Sequence, residues 1–281
     1  MTSHIHKSIV VISWDGSSSP LGYIQQDTKA DFDLFIFDYS GKDHRSDLQG
    51  IEHRYYLSVQ TECKGDILQN IYQYLVQNKI DNFKYIGILD DDICISIGEL
   101  NKLLFHAGIE KLDVFQASLT HDSYYHHRQF IRKEGYQIIP TWWVEIMAPF
   151  YSKDVFWEAG KDFQRSISGT GIDVYLIPTI QVLLGKTHTA VVHSVSMKHC
   201  RPIRTDNRVF RNGKTNLVEI SELQSYCKSI VENQREKFTQ IFIKEVINRR
   251  YVYGIPLKYK LKRIPRLLKN LYSFIVDASY R

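Results

Sequence analysis

The chain has 281 residues, a formal net charge of +5 and a hydrophobic content of 43%. Its 18 tyrosines and 14 phenylalanines exclude a disordered or low-complexity chain, and its length is sufficient for one large α/β domain with a sizeable core. No apolar run reaches the roughly 20 residues that a membrane-spanning helix requires. The four cysteines lack C-x-x-C spacing and predict reduced thiols, so we expect a cytoplasmic protein.

Positive charge is concentrated at the C-terminal end. Residues 244–281 contain ten Lys or Arg and two Asp or Glu, a net charge of +8, which leaves −3 for the rest of the chain. A mildly acidic body with a basic tail is not typical of a protein that binds nucleic acid. In the tail, apolar residues recur at helical spacing among basic ones, at Ile264, Leu267, Leu268, Leu271, Phe274 and Ile275. Such a helix binds an anionic membrane surface, or packs on the body or on a second copy of the chain, and the pattern favours neither alternative.

Strand-like and helix-like periods alternate along the chain. Apolar runs predict strands at Ile9–Ile12, Leu34–Phe37, Tyr55–Val59, Tyr85–Leu89, Val114–Ala117, Val144–Ala148 and Ala190–Val192. Helices are predicted after an N-cap at Asp66, after a capping box of Ser96 and Glu99, near Asp154, and over residues 218–248. This order predicts a single α/β domain with a mostly parallel sheet over residues 1–217, and a helical C-terminal extension over residues 218–281.

Polar residues follow the predicted strands directly. Ser13, Trp14 and Asp15 come after the first strand, and Asp38 and Tyr39 come after the second. Ligands of parallel α/β sheets bind at the carboxyl ends of the strands. These positions are therefore candidates for ligand contacts.

The strongest local signal is the acidic run Asp90–Asp92 directly after the apolar strand Tyr85–Leu89. Three adjacent carboxylates repel each other, and a divalent cation is a natural way to offset that repulsion. Oxygen ligands favour Mg²⁺ or Mn²⁺, and Asp90 and Asp92 have the D-x-D spacing. The alternative is a solvated acidic turn that caps the next helix.

A second candidate is Asp173, which follows the glycine pair of Gly169 and Gly171. A carboxylate exposed at such a loop can accept a proton from an attacking hydroxyl. The residues alone are equally typical of an Asp at a helix start, where the helix dipole favours it.

Histidines and aromatic residues provide further candidates. His193 ends the apolar run Ala190–Val192 and His199 follows it, so that either could complete a metal site. The polar and aromatic loop at residues 121–128 suits contacts with sugar or phosphate. Glu145 lies in an apolar run after a Trp pair, and if it is buried it must be paired or face a cleft.

Several segments, taken in order, resemble a known family. The run Phe83–Asp92 is similar to the strand and D-x-D of glycosyltransferases with the GT-A fold. Together with Leu112–Leu119, Val144–Ser152 and Gly171–Asp173, it resembles a plant and bacterial domain of unknown function that is regarded as glycosyltransferase-like. The Val-Glu-Ile-Met-Ala-Pro segment is the most specific of these similarities. The resemblance spans residues 85–199, and the basic tail lies outside it.

The resemblance implies a single GT-A-like, Rossmann-like domain that binds a nucleotide-sugar donor. It implies a divalent metal, Mn²⁺ or Mg²⁺, held by Asp90 and Asp92 and completed by a late histidine, with His193 the first choice and His199 the second. It also implies that Asp173 is the catalytic carboxylate of an inverting reaction. This chain has Ser168–Gly171 where a Trp-Gly pair would be expected.

We therefore expect a metal-dependent glycosyltransferase that acts on a glycan or lipid-linked acceptor. Contacts with the nucleotide are expected from Ser13, Trp14, Asp15, Asp38, Tyr39 and Asp91. The basic tail would place the enzyme on the cytoplasmic face of the membrane, which suits synthesis of a surface polysaccharide or glycolipid, and its helices could mediate oligomerisation. Two alternatives stay open, namely a metal-dependent phosphoryl or nucleotidyl transferase that uses the same carboxylates, and a non-catalytic carbohydrate-binding protein.

Overall fold

The structure, a computed structural model, describes residues 7–17, 19–202 and 208–240. Ten strands occur in these residues: β1 (Ile9–Trp14), β2 (Ile24–Gln25), β3 (Asp33–Asp38), β4 (Tyr55–Ser58), β5 (Tyr85–Leu89), β6 (Ile93–Ser96), β7 (Val114–Leu119), β8 (Ile138–Pro140), β9 (Phe150–Ser152) and β10 (Thr189–His199). The strands alternate with helices along the chain, as the sequence predicts.

Five α-helices accompany the strands in the same described ranges: α1 (Lys64–Gln77), α2 (Ile97–Ile109), α3 (Lys153–Gly160), α4 (Ile177–Leu184) and α5 (Asn216–Asn233). A π-helical turn, Ile172–Leu176, leads directly into α4, and short 3-10 turns lie at Arg45–Leu48, Arg128–Phe130 and Phe163–Arg165.

The sheet has a parallel centre with antiparallel additions. Its strand order is β2-β6-β10-β7-β9-β5-β1-β3-β4, and β8 pairs with β10 outside this path. Strands β4, β3, β1 and β5 are parallel neighbours, and β10 is parallel to β7. The short strand β9 lies antiparallel between β5 and β7. The prediction of an α/β fold with a mostly parallel central sheet is therefore confirmed.

Both faces of the central sheet are covered, and β1 shows the reason most clearly. All six of its residues are buried. Ile9 and Val11 belong to a core cluster with α1, α3, α4 and α5, whereas Val10, Ile12 and Trp14 belong to a cluster with α2 on the other face. A strand covered on both faces has a continuous apolar sequence rather than an alternating one.

Two local predictions are wrong, and each has a physical reason. The segment Val144–Ala148 is a turn rather than a strand, and the antiparallel strand begins only at Phe150. Val144, Met147 and Ala148 are apolar because they are buried in the core, while the carbonyl of Met147 accepts a hydrogen bond from Asp90 N–H at 2.9 Å. Asp66 is not an N-cap, because α1 already begins at Lys64.

The C-terminal helix packs on the body of the protein. In α5, Leu223 and Cys227 belong to the same core cluster as α1, α3 and α4. The boundary at residue 217 stays a prediction. The apolar stripe of the tail, Ile264–Ile275, lies outside the described residues. Among the helices that are described, none is long and apolar enough to cross a membrane.

Candidate active site

The carboxyl ends of β1, β3 and β5 meet at one edge of the sheet because these strands are parallel neighbours. A cleft of about 610 Å³ opens there. The acidic run Asp90–Asp92 lies on its floor, and His199, Glu145 and Asp173 also line it. The turn that precedes the antiparallel β9 supplies Glu145, because the amino end of an antiparallel strand lies at the carboxyl edge of its neighbours. The topology thus brings carboxylates from distant parts of the sequence into one cleft.

Asp90 is paired with a cation from the start of α1. The Lys64 Nζ atom lies 2.5 Å from Asp90 Oδ1 and 3.2 Å from the carbonyl oxygen of Ile88. Lys64 is only 8% exposed, whereas 31% of the Asp90 side-chain surface is open to the cleft. The surrounding protein excludes water from most of the Asp90 carboxylate, and this desolvation raises its pKa. The ammonium of Lys64 opposes the rise without cancelling it.

Asp91 is held by a phenol and a guanidinium. The Tyr39 hydroxyl donates a hydrogen bond to Asp91 Oδ2 at 2.8 Å, and Arg201 Nη2 forms an ion pair with Oδ1. Burial and the negative charge of Asp91 raise the pKa of Tyr39, which keeps its hydroxyl protonated as a donor. The end of β3 is therefore tied to the acidic run through Tyr39.

Asp92 faces His199 from the end of β10. The Asp92 Oδ2 atom lies 3.2 Å from His199 Nε2 and 3.2 Å from Arg201 Nε. Burial raises the pKa of Asp92, but the hydrogen bond and charge of His199 together with the charge of Arg201 oppose it, and the net shift is downward. The other oxygen, Oδ1, is buried and has no hydrogen-bond partner among the described residues.

These residues fit a divalent metal in part. His199 Nδ1 lies 3.0 Å from the carbonyl oxygen of Tyr124 and so carries the proton, which directs Nε2 toward Asp92. Once the Nε2 of His199 has lost its proton, it and the orphaned Oδ1 of Asp92 are two metal ligands of the right kind. In the described part of the chain, however, no group of three His, Cys, Asp or Glu side chains forms a ready metal site. A metal held here would take further ligands from substrate phosphates, as Mg²⁺ commonly does.

Asp173 lies at the start of the π-helical turn and faces the same cleft. Burial raises its pKa to about 7, although the backbone N–H groups of Val174 and Ile146 stabilise the ionised form. The preceding Gly171 has a φ of 89°, which favours glycine and turns the chain into the cleft. A carboxylate with this pKa can accept a proton near neutral pH.

The loop before Asp173 is fixed from α5. Glu219 is fully buried, and its carboxylate accepts hydrogen bonds from the backbone N–H groups of Ile167 at 3.0 Å and Ser168 at 2.8 Å. The Asn212 side chain donates a third at 2.7 Å. Sequence reasoning missed Glu219, because an acidic residue in the first turn of a helix is ordinary and gives no reason to expect this role.

Glu145 is buried and lacks a charged partner in the described residues. It is 7% exposed, and its Oε2 atom has no hydrogen-bond partner within that part of the chain. Burial, followed by the negative charge of Asp173, raises the pKa of Glu145 to about 8. The prediction that a buried Glu145 must be paired or face a cleft is met by its facing the cleft.

One wall of the cleft is aromatic. The rings of His127 and Trp143 are perpendicular with centroids 4.8 Å apart, and Trp143 packs in the same way on the buried Phe130. His126 lies beside His127 along this wall. The loop at residues 121–128, which the sequence marked for sugar or phosphate contacts, therefore reaches the cleft.

Several predicted contact residues do not line the cleft. Asp38 is fully buried, and its carboxylate binds Ser40, His44, Tyr56 and Ser58, so that it organises the loop after β3 and has no surface to offer a ligand. Ser13 and Trp14 are 2% and 1% exposed.

Asp15 lies near the residues that bind the acidic run, whereas His193 does not line the cleft. Asp15 follows β1 and accepts hydrogen bonds from Ser17. It is near enough to Arg201 to interact with its charge, and its own negative charge adds to the rise in the pKa of Tyr39. His193 is not among the lining residues. Its Nδ1 accepts a hydrogen bond from Lys133 N–H at 3.1 Å, and burial lowers its pKa to about 4. Of the two candidate histidines, His199 is the one at the cleft.

Two cations at the site were not predicted from the sequence. Lys64 and Arg201 both bind the acidic run, and their charges offset much of the repulsion that was expected to require a metal. Arg201 lies two residues after His199, so its position after the late strand is the signal that could have found it. Lys64 gives no such signal, because it is separated from Asp90 by a helix and a strand.

Comparisons with known proteins address the fold. No family model matches the sequence, and no curated protein matches it either. The solved structure of S. aureus TarS 1–349 is similar, with a TM-score of 0.53 and 11% identity over 95% of this chain and 80% of that one. Its complex with UDP-GlcNAc gives a TM-score of 0.52 and 13% identity over the same shares.

A second protein has the same architecture. GalNAc-T7, solved with UDP, GalNAc and Mn²⁺, has a TM-score of 0.55 and 11% identity over 96% of this chain, which spans 57% of that one. TarS and GalNAc-T7 are both glycosyltransferases of the GT-A type. The chain therefore has a GT-A glycosyltransferase-like fold, as the resemblance in the sequence predicted.

Proposed function

We propose that this protein is a glycosyltransferase that moves a sugar from a nucleotide-sugar donor to a glycan or lipid-linked acceptor. The observation that carries the proposal is the presence of the acidic run Asp90–Asp92 and of the Asp173 carboxylate in one cleft at the carboxyl edge of the sheet. The first suits a metal and a diphosphate, and the second suits a general base. The UDP-GlcNAc bound by TarS, and the UDP, GalNAc and Mn²⁺ bound by GalNAc-T7, support the same assignment.

The acidic run is proposed to hold the metal, Mn²⁺ or Mg²⁺. Asp92 and His199 present donors for it, and Asp90 adds a carboxylate whose Oδ1 atom is now bound by Lys64. A metal held there would supply positive charge to offset that of the leaving diphosphate. Lys64 remains beside Asp90 as a fixed positive charge in either case.

The nucleotide and diphosphate are proposed to lie along the ends of β1 and β3. Tyr39, Asp91 and Asp15 lie at this side of the acidic run, and Arg201 carries a guanidinium of the shape that binds phosphate oxygens with two parallel hydrogen bonds. Ser13, Trp14 and Asp38 would act through the backbone they support, since their side chains are buried.

Asp173 is proposed to be the catalytic base of an inverting transfer. Its carboxylate takes the proton from an acceptor hydroxyl while the hydroxyl oxygen forms a bond to the anomeric carbon. The bond from that carbon to the phosphate oxygen breaks at the same time, and the nucleoside diphosphate leaves with the electron pair. Because nucleophile and leaving group lie on opposite sides of the carbon, the configuration inverts.

The setting of the reaction is proposed from the tail. Residues 244–281 carry a net charge of +8, which attracts anionic lipid and would bring the cleft to a lipid-linked acceptor at the cytoplasmic face of a membrane. Synthesis of a surface polysaccharide or glycolipid would fit this position. Self-association through the C-terminal helices is a second use of the same segment.

The test is a donor panel. Purified full-length protein is incubated with common nucleotide sugars, with Mn²⁺ or with EDTA, and the release of free nucleotide is measured. We expect release from one donor, lost in EDTA, and reduced by about 100-fold or more in Asp92→Asn and Asp173→Asn. The exposed Asp154 of α3, which pairs with Lys186, provides the matched control Asp154→Asn, for which we expect unchanged release.

Other outcomes would move the assignment. Pyrophosphate release or phosphodiester cleavage with the same metal dependence would indicate a nucleotidyl or phosphoryl transferase. Glycan binding that is independent of metal and unchanged in Asp92→Asn, without turnover of any donor, would indicate a carbohydrate-binding protein.

A further inference from the structure

We infer that Glu145 determines donor specificity by hydrogen bonding to a ring hydroxyl of the sugar that is transferred. This inference rests on the proposed function and deepens it. Glu145 lines the cleft and is only 7% exposed. One of its carboxyl oxygens, Oε2, is buried and has no hydrogen-bond partner in the described residues. A buried polar atom that lacks a partner is costly, so that such an atom at a cleft points to a ligand group that completes it.

The position of Glu145 is fixed from three sides. Its own backbone N–H donates to Gln116 Oε1 at 2.6 Å, and Gln116 is fully buried in β7. The next residue, Ile146, donates its N–H to the carboxylate of Asp173. The residue after it, Met147, accepts the N–H of Asp90 at 2.9 Å. Glu145 therefore belongs to the short segment that joins the metal side of the cleft to the base.

This placement determines which part of a substrate would meet Glu145. In the proposed transfer, the anomeric carbon must lie between the diphosphate at Asp90–Asp92 and the acceptor hydroxyl at Asp173. The ring of the donor sugar is the group that spans this interval, and its hydroxyls are the polar groups it can offer to Oε2. The nucleotide lies on the other side of the acidic run, near Tyr39, and would not reach Glu145.

The charges around Glu145 support a hydrogen bond rather than an ion pair. Asp173 places a negative charge nearby, and His199 a positive one. Burial and the charge of Asp173 raise the pKa of Glu145 to about 8, so the group is largely neutral at pH 7 and can both donate and accept. A sugar hydroxyl has the same two capacities.

The test compares two variants at Glu145 with two kinds of ligand. Glu145→Gln keeps the shape and the hydrogen-bonding capacity, whereas Glu145→Met fills the volume and removes it. The ligands are the donor found by the panel, its free nucleoside diphosphate, and analogues of the donor in which single ring hydroxyls are replaced by hydrogen. Readouts are kcat/KM for nucleotide release and the Kd of the nucleoside diphosphate.

We expect Glu145→Met to lower kcat/KM for the natural donor by about 30-fold or more, and Glu145→Gln to lower it by less than about tenfold. One deoxy analogue should be a poor substrate for the wild type and no poorer for Glu145→Met, because the two changes remove the same hydrogen bond. Both variants should bind the nucleoside diphosphate within about twofold of the wild type, which also shows that they are folded.

Two results would overturn the inference in distinguishable ways. If every deoxy analogue loses the same factor in the wild type and in Glu145→Met, the hydroxyl contact is absent while the proposed function stands. If the wild type turns over no donor in the panel, the proposed function fails and the inference fails with it.

Discussion

Asp173 is a half-buried carboxylate, and its partial burial disfavours the ionised form that a catalytic base needs. Burial raises its pKa to about 7 in spite of the N–H groups of Ile146 and Val174. A base with a pKa near the working pH is available in its ionised form and still accepts a proton readily. The cost falls on stability, because the folded protein must desolvate a carboxylate that water solvates in the unfolded chain.

We predict that Asp173→Asn is inactive and more stable than the wild type at high pH. The folded pKa of Asp173 lies above its ordinary value of 3.8, so the folded state holds the proton longer and stability falls as pH rises from about 4 to about 7. The variant lacks this loss. Urea unfolding should show a gain of ~1–3 kcal/mol at pH 8 and a smaller gain at pH 5.

The exposed control Asp154→Asn should show no such difference between pH 8 and pH 5, since its partner Lys186 is on the surface. Equal stability of Asp173→Asn and wild type at both pH values would contradict the raised pKa that is assigned to the half-buried Asp173.

At the scale of elements, the first turn of α1 contacts both the acidic run and the loop before Asp173. Lys64 reaches back to Asp90, and the backbone N–H of Asp66 donates to the carbonyl oxygen of Ile167 at 3.3 Å. Between them, Gly65 lies so close to the loop before Asp173 that an added Cβ would stand 1.7 Å from the carbonyl oxygen of Ser166. The contact requires glycine for its lack of a side chain.

We predict that Gly65→Ala destabilises the protein by ~2 kcal/mol or more, because the backbone on one side must move to relieve the clash. The same movement displaces Lys64 from Asp90, so donor turnover should also fall. Thermal unfolding and nucleotide release measure the two effects.

Gly108→Ala is the matched control within α2. Its added Cβ would meet only the end of the flexible Lys84 side chain at 3.1 Å, and alanine is the better helix former by ~0.5–1 kcal/mol. This variant should be as stable as the wild type or more so. If Gly65→Ala is as stable as Gly108→Ala, the loop before Asp173 can move away from α1 without lowering the free energy of unfolding, and the prediction is wrong.

Elements whose signals are local were predicted well. The strand Tyr85–Leu89 has the predicted bounds, and Ser96 caps α2 by accepting the N–H of Glu99 at 3.1 Å. The segment Val144–Ala148 was misassigned because a run of apolar residues indicates burial, and a buried turn can be as apolar as a buried strand. Asp66 was misassigned for a related reason, since polar residues in the first turn of a helix resemble N-caps.

At the scale of the whole molecule, the charge is divided between an acidic body and a basic tail. Residues 258–281 alone contain seven Lys or Arg and one Asp. We predict that the full chain sediments with vesicles containing anionic lipid at low salt, and that a chain truncated before Lys258 does not. Each basic residue near such a surface contributes ~1 kcal/mol, so the loss should exceed 100-fold in partition coefficient.

Uncharged phosphatidylcholine vesicles and 0.5 M salt are the controls, and both should release the full chain because the attraction is electrostatic. If the truncated chain sediments as well as the full chain does, the membrane contact lies in the body of the protein and not in the tail.

The sequence by itself determined six of the ten strands of the described residues, the α/β class, the acidic run at the end of β5, and the candidacy of Asp173 and His199. The strands follow from periodicity, and the acidic run stands out through the rule that ligands meet the carboxyl ends of parallel strands. The catalytic role expected of Asp173 follows instead from the resemblance to GT-A glycosyltransferases. Only the tertiary structure decided which of these residues share the cleft. It placed His199 against Asp92 and His193 elsewhere.

Tertiary structure also supplied the partners that no local pattern records. Lys64 meets Asp90 across 26 residues, and Glu219 fixes Ser168 across 51. Glu145 approaches Asp173 because β9 runs antiparallel and presents its preceding turn at the same edge as the parallel strands. Such contacts depend on how helices and strands pack in three dimensions, and the residues that make them differ in no local way from those that face solvent.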